Sequence, residues 1–189
     1  MMKLLTVLFA VVVLTPVVCF AQKDRRLEGC VDPTQIAKVL SGMRQAPLRP
    51  VSEDQFREMW PVELADNEVY SKTSRMLQSN DRIIRGRIQC SEDFEFNVSK
   101  DGRAAAWELR GVIVNYSAQD RDTLVTMAKL FSQAVGLGPA DLKTVGADKL
   151  QHYQWEANKG GRLLYAIDLR FTQMDGLWKM YFNAGFDAV

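Results

Sequence analysis

The sequence predicts a single α+β domain: a mainly antiparallel, twisted sheet of about six strands, one long helix packed on it, and two short N-terminal helices. Three observations carry this prediction. Hydrophobic spacing changes from helical to alternating near Asp66, and alternation returns in three runs after Leu150. Between them lies one amphipathic segment of helical period with marked ends. Helices, strands, helix, strands is the order of a segregated α+β chain, not of repeated βαβ units.

Met1, Met2 and Lys3 precede the uncharged run "LLTVLFAVVVLTPVV", and small residues follow at Cys19 and Ala21. That is the layout of a secretory signal, with the cut between Ala21 and Gln22. Pro16 breaks the apolar helix just ahead of the recognition segment. A lipoprotein cut before Cys19 would need a very small residue where Val18 stands. An uncleaved anchor would need about 20 apolar residues, more than this run offers. The expected division is a signal at 1–21, a helical segment at 22–65 and the sheet with its long helix at 66–189, the last two forming one domain. The mature chain is then exported to the periplasm or the extracellular space, with no stable membrane span.

Cleavage removes one of the three cysteines and leaves Cys30 and Cys90. Two cysteines in an oxidising compartment are expected to form a disulfide. Closing a loop of about 60 residues stabilises a fold by roughly 4 kcal/mol in the chain-entropy model. A zinc site would lack ligands, because no CxxC pair exists and His152 is the only histidine. No metal or other cofactor is expected.

In the helical segment, Asp32, Pro33 and Gln35 carry the signals of a capped helix start, and Ser52 with Gln55 repeats the capping-box pattern up to Pro61. "EVYSKTSRML" reads as a possible strand. "DRIIRGRIQC" reads as one strand with Ile84, Gly86, Ile88 and Cys90 on one face. "FEFNV" continues the alternation, and "SKDG" supplies a hairpin turn. In the returning strand the inward set passes from Trp107 and Leu109 to Val112, Val114 and Tyr116, a phase switch that predicts a β-bulge at Gly111. The long helix follows, with Ser117 as its cap, Asp120 and Asp122 in its first turns, and Gly136 after its end. Leu124, Met127, Ala128, Phe131 and Val135 form its apolar stripe. "GLGPADLKTVGAD" reads as a loop leading to the last three strands.

Losing Lys3 with the signal takes the 24 basic residues to 23, against 23 acidic ones. A near-neutral chain lacks the basic excess of a nucleic-acid binder. Asn97 and Asn115 lie in glycosylation sequons, which matter in a eukaryotic source only.

Register suggests one site. A three-residue loop, Lys159 to Gly161, pairs Trp155 with Tyr165 and Tyr153 with Ile167, and sets His152 across from Asp168. A tight turn at Asp175–Gly176 sets Asp168 across from Asn183 and Arg170 across from Tyr181. The outer face then carries a His152–Asp168–Asn183 row flanked by Arg170, Lys179 and Tyr181. As chemistry, His152 and Asp168 are the pair of a general base, but no nucleophile motif accompanies them. As structure, they are opposite charges paired on a solvated sheet face. The row is therefore expected to be a contact patch without catalytic residues. Motifs for phosphate, dinucleotide, EF-hand and haem binding are absent.

The expected function is that of an exported, non-enzymatic binding protein with a protein partner, such as an inhibitor, immunity-type or envelope accessory factor. The alternatives are a carrier for a small apolar ligand, built on the aromatics of the C-terminal strands (Tyr153, Trp155, Tyr165, Trp178, Tyr181, Phe182), and a divergent hydrolase using His152 and Asp168. Neither partner nor oligomeric state follows from the sequence.

Overall fold

Asp32 opens the first helix. In the computed structural model, which describes residues 29–44, 51–61, 63–71, 73–79, 81–84, 87–98, 107–159 and 162–186, its carboxylate accepts from the Thr34 backbone N–H at 2.8 Å. Pro33 is the first residue of α1 (Pro33–Arg44), where its missing N–H costs nothing. Gln35 does not complete a capping box there. Its Nε2 instead donates to the Met59 carbonyl at 2.6 Å, tying α1 to the end of α2 (Glu53–Met59). The second box does form: Ser52 and Gln55 exchange both bonds at the start of α2. The signal segment with Cys19, and the expected turn at 99–102, lie outside the described residues.

Eight strands follow: β1 (Leu64–Ser71), β2 (Ser74–Ser79), β3 (Arg82–Ile84), β4 (Arg87–Val98), β5 (Trp107–Ala118), β6 (His152–Lys159), β7 (Arg162–Met174) and β8 (Leu177–Phe186). They form one sheet in the order β1-β2-β4-β5-β8-β7-β6, with β3 beside β4. Every pairing is antiparallel. Two meanders, β1 to β5 and β6 to β8, meet where β5 pairs with β8.

The sheet exceeds the expected six strands because two stretches reverse direction. "EVYSKTSRML" holds a hairpin, with Ser71 paired to Ser74. "DRIIRGRIQC" holds another, pairing Ile84 with Arg87 and Ile83 with Ile88, so Ile84 is out of phase with Ile88. Alternation alone does not distinguish one continuous strand from two antiparallel strands that pair with each other.

Between the meanders lie α3 (Arg121–Ala134) and α4 (Pro139–Thr144). Asp120, not Ser117, caps α3, its carboxylate accepting from the N–H groups of Asp122 and Thr123. Ser117 stays in β5 because β8 continues to pair with it through Lys179. The stretch expected to be a loop forms α4, with Pro139 at its start and Asp141 accepting from the Gly138 N–H at 2.9 Å. At 12 residues, α1 is nearly as long as the 14-residue α3, so the expected single long helix is one of two.

All the helices that touch the sheet use one face. Phe131 of α3 meets Phe182, and Phe56 of α2 meets Phe94 and Phe96. Helix α1 packs on α3 and reaches β5 and β8. The expected stripe of Leu124, Met127, Ala128, Phe131 and Val135 is buried there. In β5 the register breaks between Glu95–Gly111 and Phe96–Leu109, leaving Arg110 without a partner position. That bulge carries the buried set from Leu109 to Val112, Val114 and Tyr116. The Cys30–Cys90 disulfide joins the lead of α1 to β4 across 60 residues.

Candidate binding face

The helices occupy one face of the sheet, and the opposite face displays the alternate residues of each strand. Across β4, β5, β8, β7 and β6 one row reads Asp93, Ile113, Asn183, Asp168, Gln154. The next reads Ser91, Asn115, Tyr181, Arg170, His152. A third holds Ser117, Lys179 and Thr172. The sequon residue Asn115 is thus a half-buried position in the middle of a strand, where its Nδ2 donates to Ser91 Oγ at 3.3 Å. The other sequon residue, Asn97, also lies within a strand, β4.

The β7–β8 hairpin has the expected register. Met174 pairs with Leu177, and Asp175 (φ 53°) and Gly176 (φ 75°) take the left-handed conformations of a type I′ turn. Asp168 therefore faces Asn183, and Arg170 faces Tyr181.

The β6–β7 register differs from expectation by one pair on each face. Lys159 pairs with Arg162, and a bulge between Ala157 and Asn158 follows. Trp155 then faces Ile167, Tyr153 faces Leu169, and His152 faces Arg170 rather than Asp168. A two-residue turn alone would mix the faces, but the bulge supplies the residue that restores the match. Hydrophobic pattern fixes which face a residue takes and leaves the register free to slide by two.

His152 nonetheless reaches Asp168, its diagonal neighbour: Nε2 lies 2.9 Å from Oδ1. The same carboxylate receives Arg170, with Nε at 3.1 Å from Oδ1 and a second nitrogen on Oδ2. Arg170 also lies over the Tyr181 ring, 5.6 Å from its centroid. Asp168 thus orients two side chains, and its hydrogen bond and charge raise the guanidinium pKa further. The carboxylate is mostly shielded, with 18% of its side chain exposed, whereas His152 and Arg170 expose 48% and 52%. Lys179 lies beside Thr172 on the same face, half-buried. Among the described residues the imidazole is bonded to Asp168. What the arrangement offers is a fixed, half-exposed cation stacked on an aromatic ring.

Burial raises the pKa of Asp93 on the same face, with the charges of Asp81 and Glu92 adding to it and a hydrogen bond from Gln78 opposing it. The aromatics of the C-terminal strands pack mainly among themselves and the core. Tyr153 stacks on Trp155 with centroids 5.8 Å apart, Tyr165 meets Phe186, and Arg121 lies over both Phe171 and Trp178.

Sequence reasoning missed a second polar group, buried under the helices. Glu92 is fully buried and binds Arg82 through both oxygens. Ser79 Oγ donates to its Oε2 at 2.5 Å, and Tyr116 Oη lies 3.0 Å from its Oε1 and 3.1 Å from the Val31 carbonyl. Burial, and then the Glu92 charge, push the Tyr116 pKa well above its ordinary value. Arg82 Nε also donates to Cys90 Sγ at 3.3 Å. The signal was present: Glu92 is in phase with Cys90, Phe94 and Phe96, all inward-facing.

Among the described residues no group of His, Cys, Asp and Glu could hold a metal ion, and no helix is long and apolar enough to cross a membrane. The disulfide is consistent with export to an oxidising compartment. No family model, curated protein or solved structure matches this chain, so its fold and its face have to be read from the residues themselves.

Proposed function

We propose that this chain is an exported, non-enzymatic binding protein whose sheet face, around His152, Asp168, Arg170, Lys179, Tyr181 and Asn183, engages a protein partner. The observation that carries the reading is Arg170, stacked over Tyr181, held by Asp168 and half exposed. An arginine whose geometry is already fixed loses little side-chain freedom on binding, and Arg and Tyr are the residue types that dominate interface energetics. An inhibitor, immunity-type or envelope accessory role fits a small disulfide-linked domain of this kind.

The test is crosslinking in the native extracytoplasmic fraction, with a photoreactive residue at Lys179 and a control at Glu58 on the exposed side of α2. A discrete adduct from position 179 that is lost in Arg170→Ala/Tyr181→Ala supports the reading. Equal adducts from both positions, or no effect of the double substitution, would refute it.

A further inference from the structure

Strand β6 ends the sheet, and among the described residues nothing pairs with its outer edge. The opposite edge, β1, is interrupted by two register breaks within Leu64–Ser71, which blunt it against pairing. The β6 edge pairs regularly from His152 to Ala157, and the one register break, with its extra residue on β7, comes only beyond that point. From His152 to Ala157 it contains no proline and no charge on the helix side, so two of the usual protections of an exposed edge are missing there.

The direction of its free backbone groups follows from one bond. Phe171 N donates to the Gln151 carbonyl at 2.7 Å, in line with the β6–β7 register. Bonded and non-bonded pairs alternate along an antiparallel ladder, so Tyr153 and Trp155 also bond across to β7. The N–H and C=O groups of His152, Gln154 and Glu156 then point to the open edge.

We infer that β6 pairs antiparallel with β6 of a second copy of this chain, about a two-fold axis through Gln154. That register sets Gln154 against Gln154 of the second copy, and His152 against Glu156 of the second copy, twice by symmetry. These are also the residues whose backbone groups face outward, so each pair can exchange both ladder bonds. On the helix side it sets Tyr153 beside Trp155 of the second copy, extending the stack these two rings already make within one chain. Neighbouring registers do worse. A two-fold at Trp155 sets His152 against Asn158, one at Tyr153 sets it against Gln154, and one at Glu156 opposes two carboxylates. Asp168 uses Nε2 of His152, which leaves Nδ1 to face the incoming carboxylate. The pairing joins two sheets edge to edge and places two Arg170–Tyr181 patches on one continuous face, whatever binds there.

The test is the mass of the oxidised, exported protein in solution across a concentration series, by sedimentation equilibrium. A dimer is expected. Gln154→Pro should abolish it without disturbing the fold, because the N–H it removes points away from β7. Glu156→Lys, which sets a cation against His152 of the second copy, should weaken association at least about tenfold, a difference of about 1.4 kcal/mol. Amide exchange at His152, Gln154 and Glu156 should slow as concentration rises. A protein that is monomeric throughout overturns the inference. So does a dimer unmoved by both substitutions, or, should Gln154→Pro misfold, one unmoved by Glu156→Lys with unchanged exchange at those amides.

Discussion

Arg82→Met isolates what the buried ion pair contributes. Glu92 is fully buried, and Arg82 is the cation on both its oxygens. Breaking a buried pair by removing one partner costs about 3–5 kcal/mol, because the remaining charge is left uncompensated. Two features pull toward the low end. Tyr116 and Ser79 still reach the carboxylate, and 16% of the Arg82 side chain is exposed, so water can partly replace it. The expected loss is about 3 kcal/mol. Arg82→Met/Glu92→Met should recover most of it, since it removes both charges and strands neither hydroxyl. Tyr116 keeps the Val31 carbonyl, and Ser79 keeps the backbone carbonyl and N–H of residue 92. The assay is urea unfolding of the oxidised protein, with the slope checked for constancy. A double variant as unstable as Arg82→Met would refute the account, because the loss could not then come from an orphaned Glu92.

Three further outcomes follow from single sites. Ser132 is fully buried in α3, and among the described residues its Oγ has no hydrogen-bond partner, so Ser132→Ala should raise stability by roughly 1 kcal/mol in the same unfolding assay. The folded state raises the Asp93 pKa, so the cost of its charge is present at neutral pH and disappears as pH falls through that raised value. Asp93→Asn should therefore stabilise the protein at pH 7, with the gain shrinking as pH falls from that raised value toward the ordinary 3.8 and absent below it, as read from thermal unfolding across pH. Among the described residues a Cβ at Gly176 or at Gly185 would touch nothing within 4 Å, but of the two only Gly176 has positive φ. Gly176→Ala should thus lose about 1 kcal/mol from backbone strain alone, while Gly185→Ala loses none.

The parts of the fold legible in the sequence were those where two independent signals agreed. At the β7–β8 hairpin, turn chemistry at Asp175–Gly176 and alternation on both sides gave one register, and Asp168–Asn183 and Arg170–Tyr181 are paired as expected. At the β6–β7 hairpin the signals disagreed: Gly160–Gly161 suits a two-residue turn, which without a bulge mixes the faces, and alternation, which fixes phase but not the absolute register, favoured a three-residue loop. His152 accordingly moved one pair along, and its contact with Asp168 survives as a diagonal. The Gly111 bulge was readable because a phase switch has few other causes. The cap of α3 was not, since Ser117 and Asp120 both suit a cap and only the pairing of β8 with Ser117 shows where β5 ends. Glu92 was passed over because a charge suggests the surface, although its phase in β4 placed it inside.

The junction of β5 with β8 has a consequence for how the chain is made. The pairs there, from Gly111–Gly185 to Ala118–Trp178, join residues far apart in sequence, whereas most other ladders close between neighbouring strands. Loop-closure entropy delays such contacts, which makes this seam the natural slow step of folding. Until Leu177 and the residues after it have been synthesised, β5 and β7 are both bare edges, open to pairing with other chains. The face around Tyr181 straddles that same seam. A chain that ends early can therefore present aggregation-prone edges but never the finished face, so recognition through it would also report that synthesis and folding are complete.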